Sequence, residues 1–306
     1  MKESKYCKVI SDDNKVIKYQ RKIGVIQEYY RSIPEVNILK LLESYTFNIP
    51  KIIDESNDGY FVEEYINGDL FDSIYSDYES INIEDIDKIV QNIADLSLVD
   101  YSKVNGFVKW KNVSSFFNFQ IQNTKNVWNN YKNKYSQMYE FLNINDKIFD
   151  VLEELPFKIV KSRKLCLIHG DRHKNNMIKQ NKNIYFIDWE LSTVGDLAYD
   201  IAFHIHQMKY NREDLDYFIE KLQCKLPLKQ KSAIEDVDTY MKFITARSVI
   251  YYVKIICENS YSEELLDKFY IRLKKLCEYD EFNIKLKEKR KIKDYLTKIH
   301  TIKKTY

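Results

Sequence analysis

The stretch from Leu165 to His204 leaves this chain few choices. Leu165, Cys166, Leu167 and Ile168 form a short apolar run, and the polar residues His169, Gly170, Asp171, Arg172, His173, Lys174 and Asn175 turn the chain before Asn176. A hairpin pattern follows, turning at Lys179 to Asn183. The run Ile184, Tyr185, Phe186, Ile187 then delivers Asp188 at its end. Two carboxylates and one carboxamide thus stand at the ends of short strands.

Such a set suits phosphoryl transfer, where the protein has little covalent chemistry to do and much charge to place. Asp171 is the candidate to orient the attacking hydroxyl or take its proton. Asn176 and Asp188 offer hard oxygen donors that could hold Mg²⁺ against nucleotide phosphates without enclosing it. His169 is expected to brace the loop rather than react. A plainer reading is a loop whose Asp and Asn form turns and helix caps.

His169-Gly170-Asp171, four more residues, Asn176, then Ile187-Asp188-Trp189-Glu190 resembles the aminoglycoside phosphotransferase and choline kinase superfamily. Gly195-Asp196 followed by Tyr199-Asp200-Ile201-Ala202 also matches it. The resemblance implies an α+β, two-lobed, protein-kinase-like fold. A small N-terminal antiparallel sheet lobe, residues 1–67, would bind nucleotide, and a larger, mostly helical lobe, residues 68–306, would carry the catalytic hairpins and the acceptor site. It further implies that Asp200 caps a helix and hydrogen-bonds back to the catalytic loop, with no such role for Asp196.

The N-terminal segment reads as strand, turn, strand: Tyr6 to Ile10, a turn at Ser11 to Asn14, then Lys15 to Tyr19. Val16-Ile17-Lys18 has the form of the strand lysine that meets nucleotide phosphates in kinase-like folds. Pro34 suits a first helical turn, and Val36, Ile38, Leu39, Leu41 and Leu42 continue a helical pattern. Glu35 would open that helix within reach of Lys18, and the superfamily uses such a pair to fix the lysine. An exposed lysine and a dipole-favoured glutamate are the ordinary alternative. The family's first strand and Gly-, Ser- or Thr-rich phosphate-covering loop have no counterpart before Lys18 except, as a remnant, Ser4.

A strand beginning at Ile49 to Ile53 and a turn at Gly59 lead into Tyr60 to Ile66. By position in the family, Glu64, Tyr65 and Ile66 would line the purine edge, before a turn at Asn67-Gly68. An edge strand and turn is the plain alternative. Ile83 to Val99 reads as a helix with Glu84 and Asp85 in its first turn. Between Gly106 and Pro156 aromatic residues crowd together, which suits either a wall for a cationic acceptor or two amphipathic helices with bulky cores; the second is preferred. Asp214 to Leu222 and Glu235 to Glu258 read as further helices. The resemblance makes Glu190, Glu235 and Asp238 candidate acids for an acceptor's amines, and acids at a helix start are also ordinary dipole partners. Lys285 to Lys304 reads as a basic helix packed through Leu286, Ile292, Leu296 and Ile299.

Lysine and arginine number 48 against 46 aspartate and glutamate, so charge gives no argument for nucleic acid. No apolar segment suits a membrane span, since Val249 to Ile256 is interrupted by Lys254. Five cysteines without a CxxC pair read as reduced, mostly buried thiols of a cytoplasmic protein. The expected reaction moves the γ-phosphoryl of ATP or GTP, with Mg²⁺, to a hydroxyl of a small cationic molecule, by a monomer or weak dimer. An aminoglycoside antibiotic, hence antibiotic resistance, ranks first as acceptor, and choline, ethanolamine or another metabolite alcohol second. A kinase-like protein that binds nucleotide or a partner without turnover is the reading from another class.

Overall fold

The computed structural model describes residues 7–10, 15–19, 24–26, 29–31, 33–56, 59–108, 110–258 and 262–304. Ser4, Tyr6 and the turn at Ser11 to Asn14 lie outside the described residues. Two compact units make up the chain, Met1–Phe116 with Val160–Val237, and Phe117–Ile159 with Asp238–Tyr306. The lobe boundary drawn at residue 67 falls inside the first.

The first unit begins with β1 (Cys7–Ile10) and β2 (Lys15–Tyr19), which pair antiparallel. A hairpin of β3 (Gly24–Ile26) and β4 (Tyr29–Arg31) follows, which the sequence pattern does not announce. Helix α1 (Glu35–Glu43) starts after Pro34, whose φ of −59° is already helical, and buries Val36, Ile38, Leu39, Leu41 and Leu42. Strands β5 (Ile52–Glu55) and β6 (Tyr60–Glu64) complete a sheet of order β1-β2-β6-β5. In the β2–β6 register Val16 faces Glu63 and Lys18 faces Phe61, and all four are buried on one face.

Short β7 (Asp69–Leu70) and α2 (Phe71–Ile74) lead to α3 (Ile83–Leu96). Asn82 caps α3 by accepting from the Glu84 amide at 2.8 Å, and Ile86, Ile89, Val90 and Ile93 form its buried stripe. Helix α4 (Val113–Lys132) passes into the second unit, which holds α5 (Ser136–Leu142) and α6 (Lys147–Glu154).

Back in the first unit, β8 (Cys166–Ile168) pairs with β11 (Thr193–Gly195), while β9 (Met177–Gln180) and β10 (Asn183–Phe186) form the expected hairpin, extended by β7. Helix α7 (Leu197–Met208) is buried nearly all round, with Asp200, His204 and His206 among its inward residues, and α8 (Arg212–Lys225) follows. A 3₁₀ segment, Leu228–Asp236, precedes α9 (Val237–Glu258), so Glu235 lies before that helix rather than in it.

In the second unit the aromatic segment makes three helices, not two, because Asn143 turns the chain in the left-handed conformation at φ 59° after α5. Its rings build a core. Phe117 stacks on Tyr240 at 4.2 Å between centroids, Trp128 packs on Tyr139 at 4.3 Å, and Phe141 stacks on Tyr295 at 4.1 Å. Helices α10 (Glu263–Cys277) and α11 (Lys289–Lys304) close the chain. Ile292 and Leu296 pack inward, Leu286 precedes the helix and is exposed, and the Ile299 side chain is outside the described set. Lys289 and Lys293 of α11 are paired with Asp267 and Glu263 of α10. Of the described cysteines Cys166 alone is buried and Cys224 is exposed, contrary to the mostly buried set expected. Among the described residues no helix is long and apolar enough to cross a membrane.

Candidate active site

Strand β8 ends at Ile168 and delivers a tightly held loop. Gly170 sits at φ 80°, where a Cβ would come 2.4 Å from the Leu191 carbonyl oxygen, so backbone packs on backbone there. The His169 ring is fully buried. Its Nε2 lies 3.2 Å from the Ile187 carbonyl and so carries the proton, while Nδ1 accepts from the Asp171 amide at 3.4 Å. Burial, with Arg172 nearby, holds its pKa well below the usual value. A neutral ring engaged at both nitrogens braces the loop.

Asp200, in the first turn of α7, accepts from the Gly170 amide at 2.9 Å and the His169 amide at 3.4 Å. It also takes the Arg172 Nε at 3.2 Å, and Arg172 Nη1 reaches Asn92 Oδ1 at 2.7 Å with its guanidinium 4.8 Å from the centre of the Phe186 ring. The helix cap expected of Asp200 belongs to Asp196, whose side chain accepts from the Ala198 amide at 3.1 Å. The reason is local: Asp196 precedes the first helical residue, and Asp200 lies inside the helix. Asp196 also receives the buried Arg163 in a two-pronged ion pair at 2.8 Å, and Arg163 reaches Asp236 at 2.8 Å.

Asp171 stands partly open at the loop's tip. Asn176 Nδ2 donates to the Asp171 carbonyl at 2.9 Å and to its Oδ2 at 3.2 Å, which leaves the Asn176 carboxamide oxygen for other work. The Ile187 amide donates to the Asn176 carbonyl at 3.0 Å, so the hairpin holds Asn176 beside the residue preceding Asp188. Asp188 itself adopts the left-handed conformation, φ 62° and ψ 62°, with a half-exposed side chain. His173 is a site neighbour the sequence reading passed over. Its Nδ1 accepts from the Asn175 amide at 3.1 Å, and its Nε2 lies 3.5 Å from Asp171 Oδ2. Burial works against its charge, but Asp171, Asp188 and Asp72 outweigh this and raise its pKa.

Lys18 Nζ lies 2.7 Å from Glu35 Oε1, 3.4 Å from Glu63 Oε1 and 3.8 Å from Asp188 Oδ1. Burial opposes its charge, yet three carboxylates prevail and raise its pKa well above the ordinary value. Glu35 Oε1 also accepts from the Trp189 amide at 2.9 Å, joining α1 to the segment after Asp188. Glu63, missed in the sequence, is buried with neither carboxylate oxygen in a well-formed hydrogen bond. Its signal was the strand alternation that puts Phe61 and Glu63 on the same inward face.

The other candidates are more dispersed. Glu64 ends β6 with its amide donating to the Lys51 carbonyl at 2.9 Å, Tyr65 is partly buried, and Ile66 packs with Ile178 and Ile187. Glu190 is partly buried in the turn after Asp188, and Glu235 is exposed before α9. Its neighbour Asp236 is the acid turned inward, onto Arg163 and the Val160 amide. Asp238 belongs to the second unit, is exposed and lies 3.5 Å from Lys242 one helical turn on.

Compared with known proteins, the sequence matches the family described as APH, Phosphotransferase enzyme family, over residues 27–226. It is 30% identical over 107 residues to "Protein LicA homolog" of Mycoplasma capricolum, a stretch covering 35% of this chain and 44% of that protein. The chain thus spans less than half the length of that curated relative. Among solved structures it is similar to choline kinase LicA from Streptococcus pneumoniae, with a TM-score of 0.55 and 16% identity over 87% of this chain and 86% of that one. It is also similar to a candidate aminoglycoside phosphotransferase from Ralstonia eutropha, with a TM-score of 0.56 and 16% identity over 89% and 87% of the two chains. At those identities the likeness is one of fold.

Proposed function

The chain belongs to the phosphotransferase enzyme family, and from that premise we propose that it moves the γ-phosphoryl group of ATP or GTP to a hydroxyl of a small molecule. The observation that carries the reading is the gathering of Lys18, Glu35 and Asp188 within one cluster, from three separate parts of the first unit. A lysine enclosed by three carboxylates is costly to bury unless its charge has a task, and nucleotide phosphates supply one.

In the proposed reaction the acceptor hydroxyl oxygen attacks the γ-phosphorus as the bond to the β–γ bridging oxygen breaks. The nucleoside diphosphate leaves, and the hydroxyl proton passes to Asp171. Asn176 steadies Asp171 through its amide nitrogen, Lys18 meets the departing phosphates, and Glu35 fixes Lys18. Asn176 and Asp188 fit an oxygen-preferring cation, because the amide nitrogen of Asn176 is committed and its oxygen is not. Mg²⁺ held there would offset the charge growing on the phosphate oxygens. Glu64, Tyr65 and Ile66 would meet the purine, with residues 1–67 as nucleotide-binding lobe, and Glu190, Glu235 and Asp238 remain candidates for an amine-bearing acceptor.

For the acceptor we place choline or a similar amino alcohol ahead of aminoglycosides, reversing the order taken from sequence. What favours this is the LicA name of the curated relative together with the choline kinase named LicA among similar folds. The test is product formation with Mg²⁺ and ATP or GTP across choline, ethanolamine and a panel of aminoglycosides, read as the mass gain of one phosphate. Asp171→Asn should abolish turnover while sparing nucleotide affinity and melting temperature; an unchanged rate would overturn the assignment. Nucleotide binding with no product from any acceptor would favour the non-catalytic reading.

A further inference from the structure

The His173 ring has two engagements, and they separate cleanly by atom. Nδ1 accepts from the Asn175 amide at 3.1 Å, capping the 3₁₀ turn Lys174–Asn176. An acceptor nitrogen carries no proton, so in the neutral ring the proton sits on Nε2. That N–H faces Asp171 Oδ2 across 3.5 Å, a separation common for catalytic contacts that tighten once substrate is present. The His173 amide also donates to the Asp171 carbonyl at 3.0 Å, which holds the two residues together through the backbone. Asn176 Nδ2 approaches the same Oδ2 at 3.2 Å.

We propose that His173 is a positioning residue for the phosphoryl transfer: with Asn176 it secures Oδ2 of Asp171 by hydrogen bonding, so that Oδ1 is presented to the acceptor hydroxyl. This deepens the functional reading above and rests on it. A carboxylate on a two-bond side chain can rotate, and a hydroxyl has to meet it within about 3 Å along a defined line for the attack to proceed. With the Asn176 bond in place, closing of the His173 N–H from 3.5 Å would bring two donors onto one oxygen and remove that rotation. They also draw charge to Oδ2, leaving the opposite oxygen as the base. The cap on the other side of the ring makes the arrangement rigid, since turning the imidazole to free Oδ2 would also release the Asn175 amide.

Asparagine separates the two engagements, because its side-chain oxygen caps helical turns well but carries no donor as far out as Nε2. His173→Asn should keep the melting temperature and the nucleotide KM near those of the unsubstituted chain while kcat falls roughly ten- to a hundredfold, the loss of a hydrogen bond to a charged group. His173→Ala, which loses the cap as well, should show the same drop in kcat together with a lower melting temperature. His173→Gln, whose longer side chain brings an amide N–H back toward Asp171, should recover part of kcat. If His173→Asn turns over like the unsubstituted chain, His173 is a cap only and the proposal falls. The unsubstituted chain and Asp171→Asn are run alongside: an unsubstituted chain inactive with every acceptor, or an Asp171→Asn chain as active as it, defeats the functional reading itself, whereas activity lost in Asp171→Asn but retained in His173→Asn defeats only this inference.

Discussion

Glu63 is a residue whose chemistry departs far from its ordinary behaviour. Burial pushes its carboxyl up from 4.5 to about 8, against the pull of Lys18 and with help from Glu35 and Asp188. An acid with a raised native pKa keeps a proton that the unfolded chain has released, so stability falls as pH rises between about 4.5 and about 8. Below that window both states hold the proton and the effect vanishes. Glu63→Gln should remove this share of the decline, so the melting temperature of the variant should gain on that of the parent chain steadily from about pH 5 to about pH 8. A constant difference across that range would mean the carboxyl titrates normally. Lys18 and Glu35 were legible because each sits at the start or middle of an element whose pattern is strong. Glu63 was passed over because a glutamate beside another glutamate reads as exposed strand, although its alternation with Phe61 marks the inward face that the register of β6 against β2 gives it.

At the scale of elements, the hairpin β9–β10 was readable from alternation and turn residues. The paired short strands β8 and β11 position the loop between them, and Asp200 then ties that loop to α7. The anchor at the start of α7 was less readable. An Asp before an apolar run is a recognised cap signal, but nothing local indicates that Asp196 would share Arg163 with Asp236, a residue forty positions further on. Arg163 is wholly buried between these two acids. Arg163→Met should leave two inward carboxylates without a cation and cost about 3–5 kcal/mol in a urea unfolding titration; a loss below about 1 kcal/mol would show that water replaces the guanidinium. The β3–β4 hairpin and the third helix of the aromatic segment escaped the sequence reading for a different reason: strands of three residues and a helix of seven carry too few periods to reveal themselves.

Across the molecule, the first unit is joined at a distance by one carboxylate. Glu35 accepts from Lys18 and from the Trp189 amide, so the N-terminal helix is fastened to the chain that carries Asp188. The cluster then holds one ammonium against Glu35 and Asp188, with Glu63 keeping its proton below about pH 8, and the acid left over in the ligand-free chain weighs on the fold. Asp188→Asn takes away one charge without changing shape. It should raise the melting temperature of the ligand-free chain while abolishing Mg²⁺-dependent turnover; a lower melting temperature would show that Asp188 contributes more to Lys18 than it costs.

The backbone of Asp188 extends this to descent. Its left-handed conformation is one that aspartate, asparagine and glycine occupy with less penalty than most residues. In a lineage freed from its chemical duty, replacement by asparagine at this position would ease the crowding of acids and leave the backbone undisturbed. Such a relic would be expected to keep its hairpin and its buried arginine long after the acid between Ile187 and Trp189 had drifted to an amide.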